Sequence, residues 1–453
     1  MSNADAAWLR MDRPQNLMVI NGVLSFDQPV DWERLRGVLQ ERLVDPFPRF
    51  RQRVHEPRLG IGAPQWEDDP AFDLDLHLHH VALPAPGDRA ALEAFVGDRM
   101  ATPLDRARAL WEFHFVEGYG EGCAVVARMH HAIADGIALA RVLFSLTDTG
   151  PEPGTAGDVF VQREGGALDA LTRPVGAAVS LGRGLAGTAW HEGIETLAHP
   201  RHAAEIARTA SDDMLTLAKV LAARPDTDTV LRGSAGIAER VAWSEPFALD
   251  PVRDLAHAHG ATINDVLVAA TTGALRTYLL DRDSLVDEIH AIVPFNLRPL
   301  DEPLPRDLGN RFGLVTLPLP VGIAHREGRL QEVMRAMGRI KTSPEGPISY
   351  ALLGAIGVTP APVEAALVGV FSGVGSTVLT NVPGPRETIY LAGSPVRGAL
   401  VWAPVSGNVA MSVSIFSYAG SVTIGVMTDA GLVPDPGAIV SAFTEELAAL
   451  SSL

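Results

Sequence analysis

From Gly398 to Thr428 the chain carries no charged side chain. A stretch of that length must cross a membrane or be covered inside a fold, and the two demand different patterns. A spanning helix needs about 20 consecutive, predominantly apolar residues. Here Pro404, Gly407 and Gly420 break the stretch and serines run through it, so it does not read as a span. Instead Met411, Val413 and Ile415 alternate with Ser412 and Ser414, Tyr418 to Ser421 form a turn, and Val422, Ile424 and Val426 alternate again. A period of two on both sides of a turn is a β-hairpin. A hairpin without charge on either face is covered on both, by the rest of the protein or by an apolar substrate chain. The alternation does not say which row faces which.

The remaining elements fit around such a sheet. Residues 17–27, "LMVINGVLSFD", read as a strand and 32–43, "WERLRGVLQERL", as a helix; "ALEAFVGDRM" is a second helix. "FHFVEG" and "CAVVARMH" read as strands joined by the turn "GYGEG", and "DGIALARVLFSL" has helical spacing. The texture changes at "GPEPGTAGD". A stretch rich in Ala, Leu and Gly follows to about Arg224, either a helical connector or a lid or lipid-surface element. The pattern then restarts with a strand and helix in "ERVAWSEPFALDPVRDLAHAHG", a strong helix in "TINDVLVAATTGALRTYLLDR", and strands in "IHAIVPFNLRP" and "STVLTNVPGP". The economical reading is an α/β protein of two halves, 1–150 and 226–453, joined by a connector at 151–225.

Charge excludes some functions. With 37 basic and 54 acidic side chains the formal net charge is −17, which opposes nucleic-acid binding and general attraction to anionic membranes. The single cysteine, Cys123, allows no disulfide within the chain and no Cys-rich metal site. The N-terminal stretch lacks a basic segment followed by an apolar run, so a cytoplasmic protein is the expectation.

The chemistry concentrates in "RMHHAIADGIAL", residues 128–139, at a strand-to-helix junction. His130, His131 and Asp135 are possible metal ligands, but adjacent strand residues point to opposite faces and rarely share an ion. There is no HExxH, no GxSxG nucleophile elbow and no P-loop. General base catalysis remains. One histidine of the pair faces a cleft while the other packs inward, and an imidazole with a pKa near 6.5 is free to accept a hydroxyl proton at neutral pH. Asp135 is expected to lock the turn through a charged partner, and Gly136 to allow a tight join.

The motif from His130 to Gly136 matches HHxxxDG, and in it the chain resembles the acyltransferases related to chloramphenicol acetyltransferase and to peptide-synthetase condensation domains. Further blocks narrow the resemblance to the bacterial wax ester synthase/diacylglycerol acyltransferase family: "MDRPQNLM" (11–18), "PLDRARALWEFHFVEG" (103–118, with Ala109 where the family usually has proline), "TINDVLVAATTGALR" (262–276), "VPFNLRP" (293–299), "LGNRFG" (308–313) and "TNVPGP" (380–385). It covers residues 5–450 and is weakest in 150–225.

The resemblance implies two chloramphenicol-acetyltransferase-like halves around a tunnel, with His131 as base and a ternary complex of acyl-CoA and an acceptor alcohol. The product would be triacylglycerol, wax ester or both; the alternatives are another hydroxyl acceptor, such as a polyketide or glycolipid, and a non-catalytic lipid-binding relative. It implies no permanently bound cofactor and no metal, and a place at the inner membrane face or on lipid droplets; it leaves oligomeric state open. By the same analogy Arg298 pairs with Asp135 and Asn264 supports the site or its oxyanion unless it caps its helix. Asp265 would be a first-turn acid of that helix, Thr380 and Asn381 weaker oxyanion candidates, and Trp111 and Glu112 domain packing.

Overall fold

The computed structural model describes residues 1–56, 64–152, 154, 225–298, 302–341, 343, 345–356 and 373–452. Apart from residues 151, 152, 154 and 225, the expected connector lies outside the described residues. In chain order the first part contains β1 (Val19–Phe26), β2 (Gln52–His55), β3 (Gln65–Asp68), β4 (Leu78–Ala82), β5 (Trp111–Tyr119) and β6 (Gly122–His130). The second contains β7 (Glu239–Trp243), β8 (Phe247–Ala248), β9 (Ile289–Asn296), β10 (Phe312–Leu319), β11 (Thr377–Pro383) and β12 (Tyr390–Leu391). It continues with β13 (Ser394–Pro395), β14 (Gly398–Trp402), β15 (Met411–Tyr418) and β16 (Ser421–Asp429). One sheet has five strands in the order β14-β1-β6-β5-β4, and a seven-stranded sheet runs β10-β9-β11-β15-β16-β7 with β8 beside β16.

The expected hairpin is β15 and β16, paired from Met411–Thr428 to Tyr418–Ser421. Its turn residues, Ala419 and Gly420, have φ of +46° and +76°, the pair of positive values that suits the twist of a two-residue hairpin. Met411, Val413, Ile415, Val422, Ile424 and Val426 enter the core shared with the helices Ile263–Leu280 and Pro436–Leu450. The serine row faces the other way: Ser414 Oγ donates to the carbonyl of Val401 in β14.

The uncharged stretch therefore serves two sheets. β14 leaves the second part and pairs with β1, from Asn21–Trp402 to Ser25–Gly398. Without it β1 would be an open edge with unpaired backbone groups. In exchange, the N-terminal helix Asn3–Met11 packs on the helix Glu345–Ile356, with Trp8 and Leu353 in one apolar cluster. Each part thus lends an element to the other, a strand in one direction and a helix in the other.

Candidate active site

Strand β6 is buried along all nine residues, as a strand between β1 and β5 must be. It leaves the sheet at the histidine pair, where the backbone N–H groups of His130 and His131 donate to the carbonyls of Leu110 and Met18. Four residues on, Asp135 is the N-cap of the helix Gly136–Ser145, its Oδ1 accepting from Ala138 N at 2.8 Å. The strand-to-helix junction read from the sequence is present.

The two imidazoles do different things. His130 is 1% exposed and its Nδ1 accepts from Ala132 N at 3.0 Å. Its proton therefore sits on Nε2, which faces Asp12 Oδ2 at 3.7 Å. This ring braces the turn. His131 is 4% exposed. It stacks on Trp8, with ring centroids 4.2 Å apart, and lies 5.2 Å from Phe312. Its Nδ1 is 2.8 Å from Asn310 Oδ1.

The surroundings of Asn310 settle the tautomer of His131. Asn310 Nδ2 lies 2.8 Å from Asp5 Oδ1 and 2.7 Å from the carbonyl of His131. Both of these atoms only accept, so the nitrogen of the amide must face them and its oxygen must face the imidazole. Nδ1 then carries the proton and donates, leaving the lone pair on Nε2. Burial pushes the His131 pKa down to about 4, with the hydrogen bond to Asn310 acting in the opposite direction. The ring is neutral throughout the physiological range and ready to accept a proton at Nε2.

Asp5 is held by its own helix: Ser2 Oγ accepts from Asp5 N and Asp5 Oδ2 accepts from Ser2 N, a capping box at the start of Asn3–Met11. Its other oxygen takes both the side chain and the backbone N–H of Asn310. Asn310 sits in the loop between β9 and β10, which is laid along the histidine turn. Gly309 N donates to the Ile133 carbonyl at 3.0 Å and Arg311 N to Asp135 Oδ2 at 3.0 Å. Gly309 has φ +87°, a conformation that favours glycine.

An apolar cavity of about 50 Å³ opens beside His131, lined by Trp8, Met11, Ile292, Phe312, Val378 and Pro404, among others. It lies where the two parts of the chain meet. Asp5, Trp8, Asn310 and Phe312 were not singled out in the sequence. The sequence signals were the Ser2-x-x-Asp5 box and the "LGNRFG" block.

The other expected residues fall as follows. Arg298 Nη2 is 3.8 Å from Asp135 Oδ2 and donates instead to the Gly309 carbonyl at 2.9 Å. The closest partners of Asp135 are backbone N–H groups, not a charge. A Cβ on Gly136 would meet only Ile20 Cδ1, at 3.9 Å, so the join does not require glycine for space. Thr262, not Asn264, caps the helix Ile263–Leu280, and Asp265 closes that capping box as a first-turn acid. Asn264 Oδ1 accepts from Asn381 Nδ2 at 2.5 Å, tying the helix to β11; neither asparagine lines the cavity at His131. Thr380 is buried with its hydroxyl unpartnered. Trp111 is buried in the first core, stacked on His77, and Glu112 receives the buried Arg128. Among the described residues, one group has metal-ligating spacing: His79, Glu112 and His114, with ligand atoms within 4.8 Å of one another. It lies on β4 and β5, apart from the His131 cavity, and its carboxylate is already taken by Arg128 and His114.

A two-part α/β chain with a buried, tautomer-locked histidine in an apolar cleft defines a class: acyltransferases of the chloramphenicol acetyltransferase and condensation-domain fold. The comparisons narrow this. Residues 1–267 match the wax ester synthase/diacylglycerol acyltransferase catalytic domain, and 308–451 match the C-terminal domain of the same family. The chain belongs to the wax ester synthase/diacylglycerol acyltransferase family. It is 30% identical to a probable diacylglycerol O-acyltransferase of Mycobacterium tuberculosis, over 100% of this chain and 96% of that one. Among solved structures, the wax ester synthase/diacylglycerol acyltransferase from Marinobacter aquaeolei VT8 matches with a TM-score of 0.68 and 22% identity, covering 99% and 98% of the two chains. The first condensation domain of the CDA synthetase matches at 0.60 and 16%, covering 100% and 95%. At such identities these two likenesses establish the fold.

Proposed function

We propose that this enzyme transfers a long-chain acyl group from acyl-CoA to diacylglycerol or a long-chain alcohol, with His131 as the base. Family membership supports an O-acyltransferase with these acceptors. The observation that carries the mechanism is the Asp5–Asn310–His131 network, which leaves the lone pair on Nε2. Nε2 takes the acceptor's hydroxyl proton as that oxygen attacks the thioester carbonyl. The C–S bond then breaks and the proton passes from Nε2 to the departing thiolate. Asn310 accepts the Nδ1–H throughout, and its bond strengthens as the ring becomes cationic. The acyl group passes directly between two substrates bound together, so the scheme requires neither an acyl-enzyme nor a resident cofactor. Asp135 and Arg298 hold the turn that aims the ring, and Asn264, Asp265 and Asn381 hold the helix and β11.

Lipid acceptors imply a peripheral encounter with a membrane face or lipid droplet. Among the described residues no helix is long and apolar enough to cross a membrane, and the net charge of −17 favours apolar over basic contact. The test is thiol release from palmitoyl-CoA with dioleoylglycerol or hexadecanol added. The reading expects release that depends on an acceptor and is lost in His131→Ala. Release without acceptor would indicate a hydrolase, and no release with either acceptor would refute the proposal.

A further inference from the structure

Strands β11 and β15 run parallel, with Val378 beside Ser412 and Thr380 beside Ser414. Residues paired across neighbouring strands project from the same face of a sheet. Val378 lines the cavity at His131, and Ser414 Oγ reaches the Val401 carbonyl of β14 across the gap between the two sheets. Ser412, the cross-strand partner of Val378, and Thr380, two residues along β11 from it, therefore project from the same face as Val378 and Ser414, next to the His131 cavity's Val378 though not themselves in its lining.

Their hydroxyls are unmet. Ser412 is 0% exposed and Thr380 8% exposed, and neither side-chain oxygen has a hydrogen-bond partner. A buried hydroxyl without a partner is costly and rare. The neighbouring wall is apolar: Ile292, Pro294, Val378 and Leu314. An apolar wall with two unpaired donors suits a ligand that is mostly hydrocarbon but bears carbonyl oxygens close to its reacting end.

Building on the acyl-transfer reading above, we propose that Ser412 and Thr380 form a subsite for the ester carbonyls of diacylglycerol, setting a preference for glyceride over simple alcohol acceptors. A diacylglycerol carries ester carbonyls within a few bonds of its free hydroxyl. A fatty alcohol has a single oxygen, which is engaged at His131, and would leave both protein hydroxyls unpaired. Sites built to hydrogen-bond a substrate discriminate against analogues lacking that group for this reason. The amide carbonyls of the pantetheine arm share the same acceptor chemistry, and the experiment separates them.

The test compares wild type with Ser412→Ala, Thr380→Val and the double variant. The readouts are kcat/KM for dioleoylglycerol and for hexadecanol at fixed palmitoyl-CoA, the KM for palmitoyl-CoA, and the thermal midpoint. The ratio of dioleoylglycerol to hexadecanol kcat/KM is expected to fall about 5- to 100-fold per hydroxyl, the span of one lost buried hydrogen bond. The thermal midpoint is expected to hold or rise, because each change removes an unpaired buried polar group; a hydroxyl with a structural task would lower it. An unchanged acceptor ratio overturns the proposal. An unchanged ratio with a raised KM for palmitoyl-CoA assigns the hydroxyls to the pantetheine carbonyls instead. If wild type uses neither acceptor, the functional reading has failed before the subsite is reached.

Discussion

Replacing Asn310 by alanine tests the mechanism without touching the imidazole. The side chain makes three buried bonds, to His131 Nδ1 at 2.8 Å, to the His131 carbonyl at 2.7 Å and to Asp5 Oδ1 at 2.8 Å. Of these, the bond to Nδ1 is the one that changes as the ring gains a proton. A neutral bond is worth about 1 kcal/mol and one to a charged group about 1.5–3, so the differential is about 1–2 kcal/mol. Losing the acceptor also frees the ring to carry its proton on Nε2, where it cannot act as base, and this costs about another 1–2. Together these lower turnover by about 30- to 10³-fold, at 1.36 kcal/mol per decade. Folding stability falls as well, by about 2–4 kcal/mol for three bonds, one of them to a carboxylate. Turnover is measured by thiol release at a temperature where circular dichroism shows both proteins folded. The decisive comparison is the double variant with His131→Ala. If Asn310 acts through His131, removing it from a protein already lacking the base costs almost nothing more in rate. A further loss of about 30-fold or more in that background would refute the relay.

His131→Ala is expected to lower turnover by about 10²–10⁴-fold, while His130→Ala acts mainly on thermal stability; the opposite ranking would exchange their roles. The His131 pKa of about 4 lies below the free value of 6.5, so between these pH values the folded protein binds fewer protons than the unfolded chain. Its contribution is then fully present above about pH 6.5 and lost as pH falls through about 4, worth about 3 kcal/mol at most. Chemical denaturation from pH 4 to 7 should show a shallower slope for His131→Gln, and identical slopes would contradict the buried neutral ring. Because Arg298 stands 3.8 Å from Asp135 and each has closer partners, a double-alanine cycle should give a coupling below about 1 kcal/mol; 3 kcal/mol or more would restore the strong pair expected from the sequence. Val413→Trp should overpack the core and lower stability by about 1–3 kcal/mol without altering the acyl-chain-length profile. A shifted profile would mean that the Val413 row, not the serine row, faces the cleft.

Much of this protein was legible one element at a time. The hairpin of β15 and β16 and the strand-to-helix turn at His130–Gly136 depend on residues close in sequence, where alternation, turn chemistry and capping act directly. Both appear where they were expected. The division of the uncharged stretch between two sheets was not recoverable. β14 and β15 are near neighbours in sequence, yet β14 is drawn to the open edge of β1, more than 370 residues earlier, and backbone pairing carries no side-chain code for that choice.

The site divides along the same line. HHxxxDG marks a base at a turn, and adjacency alone requires the two rings to point apart. Which ring faces the cleft was decided by what the fold brings to each. His130 meets the N–H of its own turn, two residues away, while His131 meets Asn310, 179 residues distant, and Asn310 is turned by Asp5, 305 residues before it in the chain. The facing of the hairpin rows was settled in the same way. A period of two gives two equal faces, and the helices on one side and β14 on the other distinguish them. Local sequence determined the pattern of each strand and the chemistry of the turn. Tertiary packing decided the tautomer of His131, the partners that hold it and the hydroxyls beside its cavity, because these depend on groups that meet only once both sheets are in place.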